Sequence, residues 1–198
     1  GSTKELRMLN DGATEQTKSI FRDNSWELRI CLFLMFLFAT LLRLDEIRAP
    51  GHLLDREYTS AIFARAYYFS NNEKVASWRR DIAITAKNQQ PILEPPLLEY
   101  LVSLIYRVMG REEIFFARYL TITFWILGGI FMYLIAKQLL SIDHAVVATA
   151  YYLFVPMGLI ISRSFQPDSL MMMLFLISLY ALVLYFEKPS LTRLPVAA

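Results

Sequence analysis

A single cysteine, Cys31, occurs in 198 residues, so no disulfide framework can form within the chain. It lies inside an apolar run, where it reads as a small packing residue rather than a nucleophile. There are two histidines, His52 and His144. They fall on opposite faces of the topology reached below, which excludes a histidine-built metal site. Carboxylates could still hold a hard divalent cation, and no other cofactor is implied. Charge is also scarce: 19% of residues are charged against 56% hydrophobic, too apolar a balance for an ordinary soluble domain. The formal net charge of +2 comes without a basic block, so nothing here fits a nucleic-acid partner.

What the chain has instead is long apolar runs, and these predict an all-α integral membrane protein with four transmembrane helices. Residues 1–25 are polar, carry Lys4, Arg7, Lys18 and Arg22, and lack a small-residue cleavage site, so they read as a cytoplasmic tail. A membrane domain follows over 26–186, and 187–198 reads as a second cytoplasmic tail or a truncated connection. The first span is expected over Trp26–Leu44, with Trp26 at the interface and Arg29 and Arg43 snorkelling from its ends. The uncharged runs 119–136, 145–162 and 169–186 supply the other three. Gly128 and Gly129 would let a neighbouring helix approach closely. Transporters and channels want charge inside their spans, and the cores of these four have none.

Between the first two spans lies a charged, proline-punctuated loop, 45–113, expected to be extracytoplasmic and to carry interfacial helices. Basic residues favour the cytoplasm for the N-terminal tail, the 137–144 connection and the tail with Lys188 and Arg193, while a loop this long translocates largely regardless of charge. Residues 97–109 follow two prolines, end at Gly110 and enclose Glu99 and Arg107, so they read as a helix lying in the membrane plane. Leu98, Leu101, Ile105 and Met109 form its expected apolar stripe, turned toward lipid or the bundle, with Glu99 and Arg107 off it. If it lies flat, Asp55, Glu94 and Asp168 share one membrane face.

Each of these acids has a plain structural reading beside a functional one. Asp55 can cap a helix over 56–69, with Glu57 on its surface, or serve as general base toward an incoming nucleophile. Glu94 precedes Pro95 and Pro96 and is held extended, which suits either a simple turn or a rigidly placed ligand-orienting group. Asp168 follows Pro167 and can cap the helix from Ser169 or act at the site, and Arg163 can pair with it or bind a phosphate.

In order and spacing, these residues resemble the N-terminal part of a GT-C class glycosyltransferase of family 39, a group that includes protein O-mannosyltransferases and lipid A aminoarabinose transferases. The resembling set is the acidic opening of the first loop helix with Ala64 and Arg65, then Glu94, Pro95, Pro96, Leu97, Tyr100 and Leu101, then Gly110 and Arg118, then Ser162, Arg163, Pro167, Asp168, Ser169 and Leu170. The resemblance implies an inner- or plasma-membrane enzyme that takes its sugar from a polyprenyl-phosphate donor and acts at the extracytoplasmic side. The implied base is Asp55 or Glu57, since the usual Asp-Glu pair is interrupted here by Arg56. Asp168 supports the same site as a third catalytic acid. Glu94, Arg163, Arg56 and Arg65 are the implied substrate-binding residues, with the arginines neutralising the donor phosphate because Pro95 stands where many relatives have a lysine or histidine. Relatives are much longer, so the remainder is expected from further chain or from a partner chain. The competing reading is a non-catalytic membrane subunit or truncated scaffold of the same fold.

Overall fold

The computed structural model describes residues 20–23, 25–45, 47, 55–70, 72, 75–92 and 94–187. Among them the regular structure is entirely helical: α1 Trp26–Leu44, α2 Asp55–Ser70, α3 Ser77–Asn88, α4 Leu97–Met109, α5 Ile114–Leu139, α6 Ile142–Phe154, α7 Pro156–Ser162 and α8 Asp168–Glu187. The side chains of Asp55 and Glu187 lie outside the described set.

Local chemistry sets several of these bounds. At the start of α1, Ser25 Oγ accepts from the Leu28 N–H at 3.3 Å, and Glu27 in the first turn and Arg43 in the last complement the helix dipole. Helix α4 begins after two prolines and stops at Gly110, whose φ of 69° is the left-handed conformation that glycine adopts at least cost.

Among the described residues two helices, α5 and α8, are long and apolar enough to cross a bilayer, and a third span results if α6 and α7 are taken together. Helix α1 has a comparable length of 19 residues but carries Glu27, Arg29 and Arg43. The run 145–162, expected to supply one span, is broken between α6 and α7 and bent by 56°. Pro156 is the cause, because it lacks an N–H and its ring clashes with the carbonyl one turn back.

That break corrects one expectation. Arg43 does not snorkel; it is wholly buried. Its Nη2 donates to the Leu153 carbonyl at 2.7 Å, Nε to Ser162 Oγ at 2.8 Å and Nη1 to the Ala39 carbonyl at 2.8 Å. A bent helix frees carbonyls that lipid cannot satisfy, and a guanidinium with five donors is a good match for them.

The apolar interior has two parts joined by α5. One gathers Ala64, Tyr68 and Phe69 of α2, Ala83 of α3, Leu98, Val102 and Tyr106 of α4, Ala117 of α5, and Phe165 and Leu170. The other packs Ala39 of α1 with Trp125 and Ile135 of α5, Tyr152 and Leu153 of α6, and Leu176 of α8. Gly128 and Gly129 sit where α6 comes closest: a Cβ on Gly129 would lie 2.9 Å from Leu153, and one on Gly128 would collide with the Tyr152 hydroxyl.

Helix α4 divides its expected stripe between the core and the outside. Leu98 faces the core with Val102 and Tyr106, whereas Leu101 and Met109 point outward at 38% and 52% exposure. Glu99, expected off the buried face, lies on it. Tyr106 meets Tyr68 edge-on at 5.9 Å, and Ser103 donates to the Tyr100 carbonyl, so both polar side chains are accommodated inside.

Candidate functional site

Successive residues on a helix point about 100° apart. At the start of α2 this sends Arg56 and Glu57 to different environments. Glu57 is 2% exposed, and its carboxylate is fully engaged. Oε1 accepts from Arg118 Nε at 3.0 Å and from the Phe165 N–H at 3.1 Å, and Oε2 accepts from Arg118 Nη2 at 3.4 Å. Arg118 Nη1 also donates to the Ile47 carbonyl at 3.0 Å. One buried ion pair thus ties α2 to α5, to the turn before α8 and to the segment after α1. The expectation of a surface Glu57 is corrected: the α5 arginine, 61 positions away, draws it inside.

Arg56 turns the other way and joins two of the other candidates. Its Nη2 donates to Glu94 Oε1, and its Nη1 lies 3.5 Å from Asp168 Oδ1. The three side chains are 45%, 30% and 33% exposed, which leaves the cluster open to a ligand. The hydrogen bond to Glu94, with the Asp168 charge behind it, raises the Arg56 pKa and holds the guanidinium in its charged form. Asp168 opens α8, and its second oxygen, Oδ2, is buried without a hydrogen-bond partner. Glu94 and Asp168, 74 positions apart in the chain, are therefore brought together at one end of the bundle by one arginine.

The remaining candidates divide. Asp55 begins α2, one residue before Arg56, which puts its backbone at the edge of this cluster. Arg163 closes α7 through its N–H to the Ile160 carbonyl and forms no ion pair among the described residues, so its charge is not spent on a carboxylate. Arg65 does not join the site. It lies nine residues further along α2, about 13 Å at the helical rise, and pairs with Glu112 at 2.8 Å. There it lines a separate groove with Trp78 and Arg79 of α3. No group of three or more histidine, cysteine or acidic residues suited to a metal occurs among the described residues, so the divalent cation gains no identified ligands.

Two polar residues lie beside the cluster that the sequence did not single out. Ser60 and Glu99 are 4% and 5% exposed, and Ser60 Oγ donates to Glu99 Oε1 at 2.7 Å. Both line a cleft between α2 and α4 that also takes in Arg56 and Glu94. A signal for Ser60 existed, since it stands four residues after Arg56 and so shares its helix face. Glu99 is marked only as a charge enclosed in the apolar run 97–109, the feature that gives that helix its reading as one in the membrane plane. Its pKa is raised by burial, with the Ser60 hydrogen bond opposing.

Residues 93–198 match the dolichyl-phosphate-mannose-protein mannosyltransferase family. The matched stretch contains Glu94, Arg118, Arg163 and Asp168, while the acids of α2 precede it. Neither the curated proteins nor the solved structures include a significant match to the chain. More than half of the chain falls within the family match, and the chain therefore belongs to the dolichyl-phosphate-mannose-protein mannosyltransferase family, membrane glycosyltransferases of the GT-C type.

Proposed function

We propose that this chain forms the acceptor-side portion of an enzyme that transfers a sugar from a polyprenyl-phosphate donor to an acceptor hydroxyl at the extracytoplasmic face. The observation that carries this is the meeting of Arg56, Glu94 and Asp168, from three elements far apart in sequence, in a chain of this family. In the transfer, the acceptor oxygen attacks the anomeric carbon, the bond from that carbon to the donor phosphate breaks, and the phosphate leaves with the electron pair. The hydroxyl proton passes to a carboxylate.

Of the two candidate bases at the start of α2, Glu57 has both oxygens occupied by Arg118 and the Phe165 N–H, so the role falls to Asp55. Asp168 orients the acceptor with Arg56 and Glu94, and the uncommitted Arg163 is the residue offered to the donor phosphate. In this reading residues 26–186 form the membrane domain, with α1 as a fourth span, the loop 45–113 outside, and 1–25 and 187–198 inside.

The test is a transfer assay in the full-length enzyme with a polyprenyl-phosphate sugar donor. Asp55→Asn and Asp168→Asn should each lose about two orders of magnitude in turnover while folding normally, since asparagine caps a helix about as well as aspartate. Wild-type turnover in both would overturn the reading. Sidedness is tested with cysteine at positions 94 and 168 and an impermeant thiol reagent: both should label from outside in intact cells. Labelling of position 168 only after lysis would refute the topology.

A further inference from the structure

We propose that the cleft between α2 and α4 is a subsite for a hydroxylated ring, in which Glu99 holds a ligand hydroxyl through its Oε2 atom. The inference rests on the transferase reading for its biological meaning but on separate atoms for its geometry. Glu99 is 5% exposed, and its two oxygens are not equivalent. Oε1 is fixed by the Ser60 hydroxyl at 2.7 Å, while Oε2 is buried and has no partner. Buried carboxyl groups are rarely left half-satisfied, because the unpaired oxygen has lost its water without recovering a hydrogen bond. A leucine at this position would fill similar space without that cost. The orphan oxygen therefore reads as one side of an interaction completed by a ligand.

The chemistry of the missing partner follows from the group. Burial favours the neutral acid, whose Oε2–H needs an acceptor; the ionised form would need a donor there. A hydroxyl can serve as either, whereas an ammonium or a carbonyl can serve only one. The walls point the same way. Phe63, Ile92 and Pro96 give an apolar face against which the C–H side of a sugar ring can lie, and Thr59, Ser60 and Arg56 give polar contacts around it. The charged groups facing Glu99 are Arg56 and Glu94. Arg56 belongs to both the cleft and the Asp168 cluster, so a ring seated against Glu99 lies beside the acids of the proposed transfer site. Either the donor's sugar or a glycosyl acceptor would present this chemistry.

Two measurements on the full-length protein decide it. Dicyclohexylcarbodiimide, which reacts with protonated carboxyls in apolar surroundings, should modify Glu99 in mildly acidic buffer, where a raised pKa keeps the acid protonated. Methyl glucoside or methyl mannoside should slow that modification several-fold, and their fully O-methylated analogues should not. In the transfer assay, Glu99→Gln should raise one KM by about tenfold, the equivalent of about 1.4 kcal/mol of lost hydrogen bonding, and leave kcat within about threefold. A rise in the donor's KM assigns the ring to the donor, and a rise in the acceptor's KM assigns it to the acceptor. Glu99→Leu is the folding and labelling control: it should keep or raise the melting temperature, since it removes an unsatisfied buried group, and should lose the carbodiimide label assigned to Glu99.

Failure of carbodiimide to reach Glu99, or reaction that no hexoside slows together with unchanged KM values, overturns the proposal and leaves Oε2 to a structural water. Protection is read without any transfer step. A protein that shows protection but no transfer would therefore keep the subsite and refute the proposed function, whereas transfer with unchanged KM values and no hexoside protection would do the reverse.

Discussion

Arg56 and Glu57 are neighbours at the start of α2, yet the two ionic groups they build differ in almost every physical respect. Glu57 and Arg118 are buried, every carboxylate oxygen is bonded, and the pair joins four parts of the chain. Arg56, Glu94 and Asp168 are half-exposed, an acid oxygen is left unpaired, and the geometry with Asp168 is loose at 3.5 Å. The first arrangement has no free lone pair to offer a substrate and holds helices together. The second contributes little to stability, roughly 0–1 kcal/mol for exposed pairs, and keeps charge where a ligand can use it. An acidic residue at a helix start is thus not a sign of function by itself; what its oxygens already hold decides.

The largest expected effect breaks the buried side of the comparison. Glu57→Gln should cost about 3–5 kcal/mol, because it strands the Arg118 charge in a buried place. Thermal unfolding of the purified protein in detergent reads this directly. The double variant Glu57→Leu with Arg118→Met should recover much of the loss, as buried ion pairs often can be replaced by apolar groups at little net cost. A Glu57→Gln protein as stable as wild type but inactive would move Glu57 back to the catalytic side.

A smaller effect sharpens the exposed side. Arg56→Lys keeps the charge but cannot hold Glu94 and Asp168 with two nitrogens of one planar group. Turnover should fall by about tenfold, with stability changed by less than about 1 kcal/mol. Equal loss of stability and turnover would show that the cluster is a structural joint like its neighbour.

The smallest effect concerns pH and the cleft behind the cluster. The pKa of Glu99 is raised above the ordinary value of 4.5 by burial, so the folded state keeps this proton where the unfolded state has released it. Stability associated with the protonated acid is fully present below about pH 4.5 and is lost as pH rises through the folded value. Glu99→Gln, which cannot ionise, should therefore gain on wild type as pH is raised from 4.5 toward neutrality. Melting temperatures of the two proteins that stay parallel across this range would contradict the raised value.

Much of the architecture was legible from local signals. The bounds Trp26–Leu44 and Leu97–Met109 follow from the polar edge before Trp26, two prolines before Leu97 and a glycine after Met109, all features that act on the residues beside them. Helix α3 escaped notice because Trp78, Ile82 and Ala83 are too few among polar residues to form an apolar run. The bend before Pro156 was available from the proline alone and was obscured by the hydrophobicity of the run around it.

The sequence by itself determined that the chain is helical, that it carries apolar segments fit to span a membrane, and where helices α1 and α4 start and stop, because periodicity, capping and proline geometry are local. It also named Glu94 and Asp168, whose prolines mark rigid positions. Only the tertiary structure decided that Arg56 would bridge those two acids, that Glu57 would turn inward to Arg118, that Arg43 would be buried against the broken helix, and that Glu99 would lie on the covered face of α4. A charged group is buried or exposed according to the partner that meets it, and these partners lie between 38 and 119 positions away in the chain. Local pattern shows which face of a helix is apolar; it carries no information about which distant cation or carbonyl will cover the polar residue beside that face.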